Sequence, residues 1–155
     1  MLTTPHALVG LYLITFYSPA IAIPGALVSH FLFDHFYPHW NPHIYREVKQ
    51  DGKVSFNSLL VISLDMLLTA VILFWISSAL VPNFWAILTV YLAALMAVLP
   101  DFITVPYFFL KVRNPYLLTF ITFGHNHQSQ AGPFWGAFSQ VVIATIILWQ
   151  LFRIY

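Results

Sequence analysis

His30 and Asp34 are four residues apart in the run Ser29-His30-Phe31-Leu32-Phe33-Asp34-His35-Phe36-Tyr37-Pro38-His39-Trp40. On a helix that spacing places both side chains on one face, one turn apart. An imidazole and a carboxylate so related can hold one metal ion between them. The flanking residues are apolar, and a charged side chain inside a bilayer costs about 2.5–3.5 kcal/mol on insertion scales unless it is paired. Asp65 and Asp101 carry the same penalty, so three of the five acidic residues lie in apolar context.

The chain has 155 residues, of which 60% are hydrophobic and 7% charged. A soluble domain is about a quarter charged, so the composition is that of an integral membrane protein. The formal net charge of +1 gives no bulk attraction to nucleic acid. There is no cysteine, which removes disulfides and thiolate metal sites. No Lys or Arg precedes the first apolar run and no small-x-small site follows it, so no removed signal peptide is expected.

The pattern predicts an all-α, polytopic transmembrane helical bundle, with residues 1–155 forming a single membrane-embedded domain. The first apolar region, Ala7 to Phe36, contains Pro19 and Pro24-Gly25. It reads either as one kinked span over 7–29 or as a helical hairpin, 5–17 followed by 23–37, with a turn around Pro19. The two prolines and the glycine favour the hairpin. Residues 38–56 form a polar, aqueous loop, after which Ser55 and Asn57 offer N-cap chemistry. Residues 59–80, 84–100 and 133–152 read as about three full spans, the second ended by Pro100-Asp101. Residues 116–123 are too short to cross alone. Arg46, Lys49, Lys53, Lys111 and Arg113 fall at one end of this layout and Arg153 at the other, which sets the five-residue end in the cytoplasm.

A hairpin returns His6 to the end that holds His30 and Asp34. Asp65 lies about two turns inside the helix leaving the loop, and Asp101 ends the returning one. His125 and His127 follow the half-span; two residues apart, they point about 200° apart on a regular helix, so one of them can face the others. His6, His30, Asp34, Asp101, His125 and His127 are therefore the expected metal ligands. Asp65 and His39 are the expected proton carriers. This donor set suits a divalent metal ion, zinc first, with manganese or iron(II) as alternatives. The plainer uses of these residues are a buried His30–Asp34 pair that fixes packing, Asp101 as a cap after Pro100, and Asp65 as a partner of a histidine or Ser63. His35 and His43 read as solvated.

Ser29-His30-x-x-x-Asp34, with Pro5-His6 ahead of it and Leu99-Pro100-Asp101 after it, resembles the LexA-binding, inner-membrane-associated metal-dependent hydrolase family. His125-Asn126-His127-Gln128-Ser129 is a looser match to that family's histidine-rich segment. In the family the L-P-D element precedes S-H-x-x-x-D, whereas here it follows. The H-x-x-x-D helix with Pro38-His39 also resembles, more distantly, the zinc-dependent phospholipase C and P1 nuclease group. These resemblances imply a metal-dependent hydrolase of the bacterial inner membrane. Its site would face the cytoplasm, with membrane lipids around it and a lipid or phosphoester as substrate. The alternative is a non-catalytic membrane protein, a metal-binding scaffold or carrier, whose His/Asp cluster locks helices. A carrier needs access from both sides, and the outer half of this chain is almost wholly apolar.

Overall fold

The computed structural model describes residues 1–155 as seven helices with no strand. In chain order they are α1 (Thr3–Phe16), α2 (Pro19–Phe36), α3 (Ile44–Asp51), α4 (Phe56–Leu80), α5 (Phe84–Phe109), α6 (Pro115–Asn126) and α7 (Pro133–Leu151). α4, α5 and α7 are long and apolar enough to cross a bilayer, as an integral membrane protein requires. Their outward residues, such as Leu64, Leu67 and Phe74 on α4, are exposed apolar side chains suited to lipid.

The first apolar region is a hairpin. Tyr17 and Ser18 join α1 to α2, and Pro19 opens α2 at a position where a missing N–H costs nothing. Pro24 lies within α2 without ending it. α1 is apolar all round, and such a helix must be covered on every side. It is the centre of the bundle: Thr4 to Leu11 are all buried, and α2, α4, α5 and α7 pack around them.

Small residues set the closest approach. A Cβ built on Gly10 would stand 2.6 Å from the Ala93 carbonyl of α5, where Ala93, Ala94 and Ala97 are buried. Gly10→Val is therefore expected to destabilise by about 1–3 kcal/mol through overpacking. Thermal unfolding in detergent measures it, with Gly124→Ala as the comparison, since a Cβ at Gly124 meets open space.

Two expectations need correction. The polar segment 38–56 is not all loop, because Ile44–Asp51 forms α3. Its apolar Ile44 and Val48, one turn apart, dock it, and Val48 is buried. The second span does not stop at Pro100. α5 continues through Pro100 and Pro106 to Phe109, its packing neighbours holding the turns that proline weakens.

Glu47 ties α3 to the start of α4. Its carboxylate accepts from the Ser55 N–H at 2.8 Å and from the Ser55 and Ser58 hydroxyls at 3.0 and 2.6 Å. Burial opposes ionisation there, but the hydrogen bonds outweigh it and hold the Glu47 pKa below its ordinary 4.5. A carboxyl more acidic in the folded state stabilises above its unfolded pKa and loses that stabilisation as pH falls through the folded value. The wild-type unfolding midpoint should therefore drop below about pH 4.5 more steeply than that of Glu47→Gln.

Candidate metal centre

Four elements bring the centre together: the first turn of α1, the last two turns of α2, the loop 37–42, and α5 at Pro100. His6, His30, Asp34 and His39 are buried, His39 completely so. Asp34 is the hub. Its Oδ1 lies 3.2 Å from His6 Nε2 and 3.6 Å from His39 Nε2, and its Oδ2 lies 3.6 Å from His30 Nε2. The amino nitrogen of Met1 donates to Oδ1 at 2.6 Å, and Gln128 Nε2 donates to Oδ2 at 3.2 Å. Asp101 Oδ1 stands 3.8 Å from His30 Nε2. The rings of His6 and His30 stack at 3.9 Å.

The hydrogen positions follow from the partners. His30 Nδ1 is 2.8 Å from the Ala97 carbonyl, and His39 Nδ1 is 2.8 Å from the Tyr37 carbonyl. A carbonyl only accepts, so each Nδ1 carries a proton and Nε2 is the ring atom that points inward. Burial holds the His39 ring neutral, with its pKa pushed down to about 4. His39 Nε2 has no hydrogen-bond partner at all. It is a buried lone pair facing a carboxylate oxygen: two acceptors turned toward each other. A cation between them converts that repulsion into coordination. A carbonyl behind each ring is the support that metal-ligating histidines ordinarily have.

Donor atoms of His6, His30 and Asp101 all lie within 4.8 Å of one another. Donors of a closed zinc site are roughly 3–4 Å apart, so these side chains need draw in by about an ångström or less. Two imidazole nitrogens and one carboxylate within that reach, with Asp34 and His39 alongside, make an N/O set that suits a borderline divalent ion such as zinc.

Local structure explains how each member is held. The Ala97 carbonyl of α5, one turn before Asp101, receives His30 Nδ1. His39 is fixed between two strips of chain. Its N–H donates to the Ser129 carbonyl at 3.0 Å, and its own carbonyl accepts from Ala131 N–H at 2.8 Å. α7 clamps the same loop from the side. Gln140 Nε2 donates to the Trp40 carbonyl at 2.7 Å, and a Cβ on Gly136 would stand 2.5 Å from the Trp40 nitrogen. Gln140 also accepts from the Leu2 N–H at 2.8 Å.

Asp65, expected as a proton carrier, is placed against the start of α1. Its carboxylate accepts from the N–H groups of Thr3 at 2.6 Å and Thr4 at 3.2 Å, and so caps α1 from a neighbouring helix. The first N–H groups of a helix have no partner within it and carry partial positive charge, which a carboxylate satisfies. Asp65 thus positions His6, which stands in that same first turn of α1.

His125 and His127 do not join the donor group. His127 is exposed, with Nδ1 donating to the Phe123 carbonyl at 2.8 Å, and His125 packs on Tyr45. Gln128 reaches Asp34 in their place. Sequence reasoning missed Gln128 and Gln140 as supports. A visible signal existed: Gly136, Ser139 and Gln140 are the polar and small positions of one face of an otherwise apolar helix.

The centre opens on a cavity of about 420 Å³, lined by His30, Asp34 and Asp101 and by apolar residues of α2, α5 and α6. No protein-family model, no curated protein and no solved structure matches the chain.

Proposed function

We propose that this protein is a membrane-embedded, metal-dependent hydrolase acting on an ester or phosphoester of a membrane amphiphile. The observation that carries the reading is the buried, unpartnered Nε2 of His39 facing Asp34 beside the Nε2 atoms of His6 and His30. His6, His30, His39, Asp34 and Asp101 would hold the ion, zinc first. Once bound, such an ion polarises a carbonyl or phosphoryl oxygen and acidifies a water in its shell. Asp101, 43% exposed at its side chain where the other donors are closed off, faces the cavity. As the donor on the open side it would be the carboxylate nearest an incoming water, and so the group to receive that water's proton. The carbonyls of Ala97 and Tyr37 keep two imidazoles in one tautomer through turnover. The resemblance of Ser29-His30-x-x-x-Asp34 to membrane-associated hydrolases supports the same reading, as does its charge pattern for a site on the cytoplasmic face of a bacterial inner membrane.

A second reading has its own observation. Asp34 bonds residues before α1, in α1 and after α6, so the cluster also ties the bundle together. Metal analysis of the purified protein separates the two. The hydrolase reading expects about one equivalent of zinc in the wild type and little in His30→Ala or Asp34→Ala. Unchanged metal content in these variants overturns it. A pure scaffold would tolerate His30→Gln together with Asp34→Asn with function intact.

A further inference from the structure

The cavity beside the centre carries charge of one sign. Asp34, Asp65 and Asp101 all line it, and no lysine or arginine does. Asp34 is matched by the Met1 amine at 2.6 Å, and Asp65 faces the N–H groups of Thr3 and Thr4. Asp101 has no such match: its one ion contact is His30 Nε2, 3.8 Å away. Arg46 and Lys49 of α3 are exposed outside the lining, with Asp51 on the same helix. Even a bound dication, together with the Met1 amine, only equals the three carboxylates. No positive charge is left over to hold a phosphate, and like charges brought together repel. The rest of the lining is mostly apolar. Leu32 and Phe36 of α2, Phe102 of α5 and Phe123 of α6 line the cavity and are also exposed, which marks where it opens. α5 is long and apolar enough to cross the bilayer, so an opening beside Phe102 faces acyl chains. The volume, about 420 Å³, lies toward the lower end for small-molecule sites, which favours one chain over a pair.

We infer that the cavity takes an uncharged, single-chain carboxylic ester from the bilayer, its ester group at His30 and Asp101 and its chain along the phenylalanines at the opening. That the bound ester is cleaved rests on the hydrolase reading; its binding requires neither metal nor turnover. In the cleavage the water oxygen joins the acyl carbon, and the bond from that carbon to the alcohol oxygen breaks. One water proton stays with the acid and the other leaves on the alcohol. The acid ionises at neutral pH, and the carboxylates that keep anions out then repel the product.

The test is photo-crosslinking of the full chain in phosphatidylcholine nanodiscs, zinc-loaded and EDTA-stripped, at pH 8, where an ordinary histidine is neutral. Two probes carry the same diazirine-bearing acyl chain: a monoacylglycerol, and the lysophosphatidic acid that differs from it only by the phosphate. The monoacylglycerol is expected to label cavity residues saturably in both preparations, and excess unlabelled monooleoylglycerol should remove the label. The lysophosphatidic acid should label the cavity about tenfold less, through repulsion by the carboxylates. Asp101→Asn removes the unmatched charge and should narrow that gap severalfold in the stripped protein. Equal labelling by the two probes, label that monooleoylglycerol does not displace, or a gap unchanged in a folded Asp101→Asn each overturns the inference. Monoacylglycerol labelling of a protein that takes up no zinc refutes the hydrolase reading alone. Zinc uptake without that labelling refutes this inference alone.

Discussion

Asp34→Asn is expected to weaken zinc affinity by about a hundredfold or more while leaving the protein folded. Loss of a supporting partner alone costs metal sites about 10–100-fold, and Asp34 is the one group within 3.6 Å of three imidazole nitrogens. Asparagine keeps the shape and one acceptor oxygen but removes the charge that balances a dication. The stability loss should be modest, about 1–3 kcal/mol, because one amide hydrogen now meets the donor of Gln128. Competition with a chromogenic chelator gives the affinity, and thermal unfolding of the metal-free protein gives the stability. Equal zinc affinity in wild type and variant would remove Asp34 from the centre.

Asp65 should show the opposite profile. Asp65→Ala strands the N–H groups of Thr3 and Thr4 in a buried place, at about 1–3 kcal/mol for each unsatisfied donor. A loss on the order of 3 kcal/mol is expected in detergent unfolding. Asp65→Asn, which keeps one acceptor oxygen for these N–H groups, should recover part of it. If Asp65 were a proton carrier, asparagine would restore nothing of the activity even as it restored the fold. The two substitutions therefore separate a helix cap from a catalytic acid.

The contrast between Asp34 and Asp65 shows what was legible in the sequence. Both are single carboxylates in apolar runs, and the transfer penalty flags both alike. Asp34 could be interpreted because His30 lies one turn before it and His39 follows the helix end, all local in sequence. His6 became legible once the prolines implied a hairpin. The partners of Asp65 are backbone N–H groups more than sixty residues earlier, and no residue type announces a backbone partner. Histidine beside a half-span suggests a ligand, so His125 and His127 stand out in the sequence, yet the turn after α6 brings Gln128 to Asp34. α3 was hidden because eight residues with two apolar positions carry little periodic signal. α5 was cut short because proline rules describe an isolated helix, and here the surrounding helices hold it together.

The central place of α1 has a consequence for how the protein is made. This helix leaves the ribosome before α4, α5 and α7, yet its mature surroundings consist of them. Until α7 is synthesised, the polar first turn of α1 has neither Gln140 beside it nor the 128–131 segment across from it. The contacts that complete the start of α1 can therefore form only once the C-terminal third of the chain has been made.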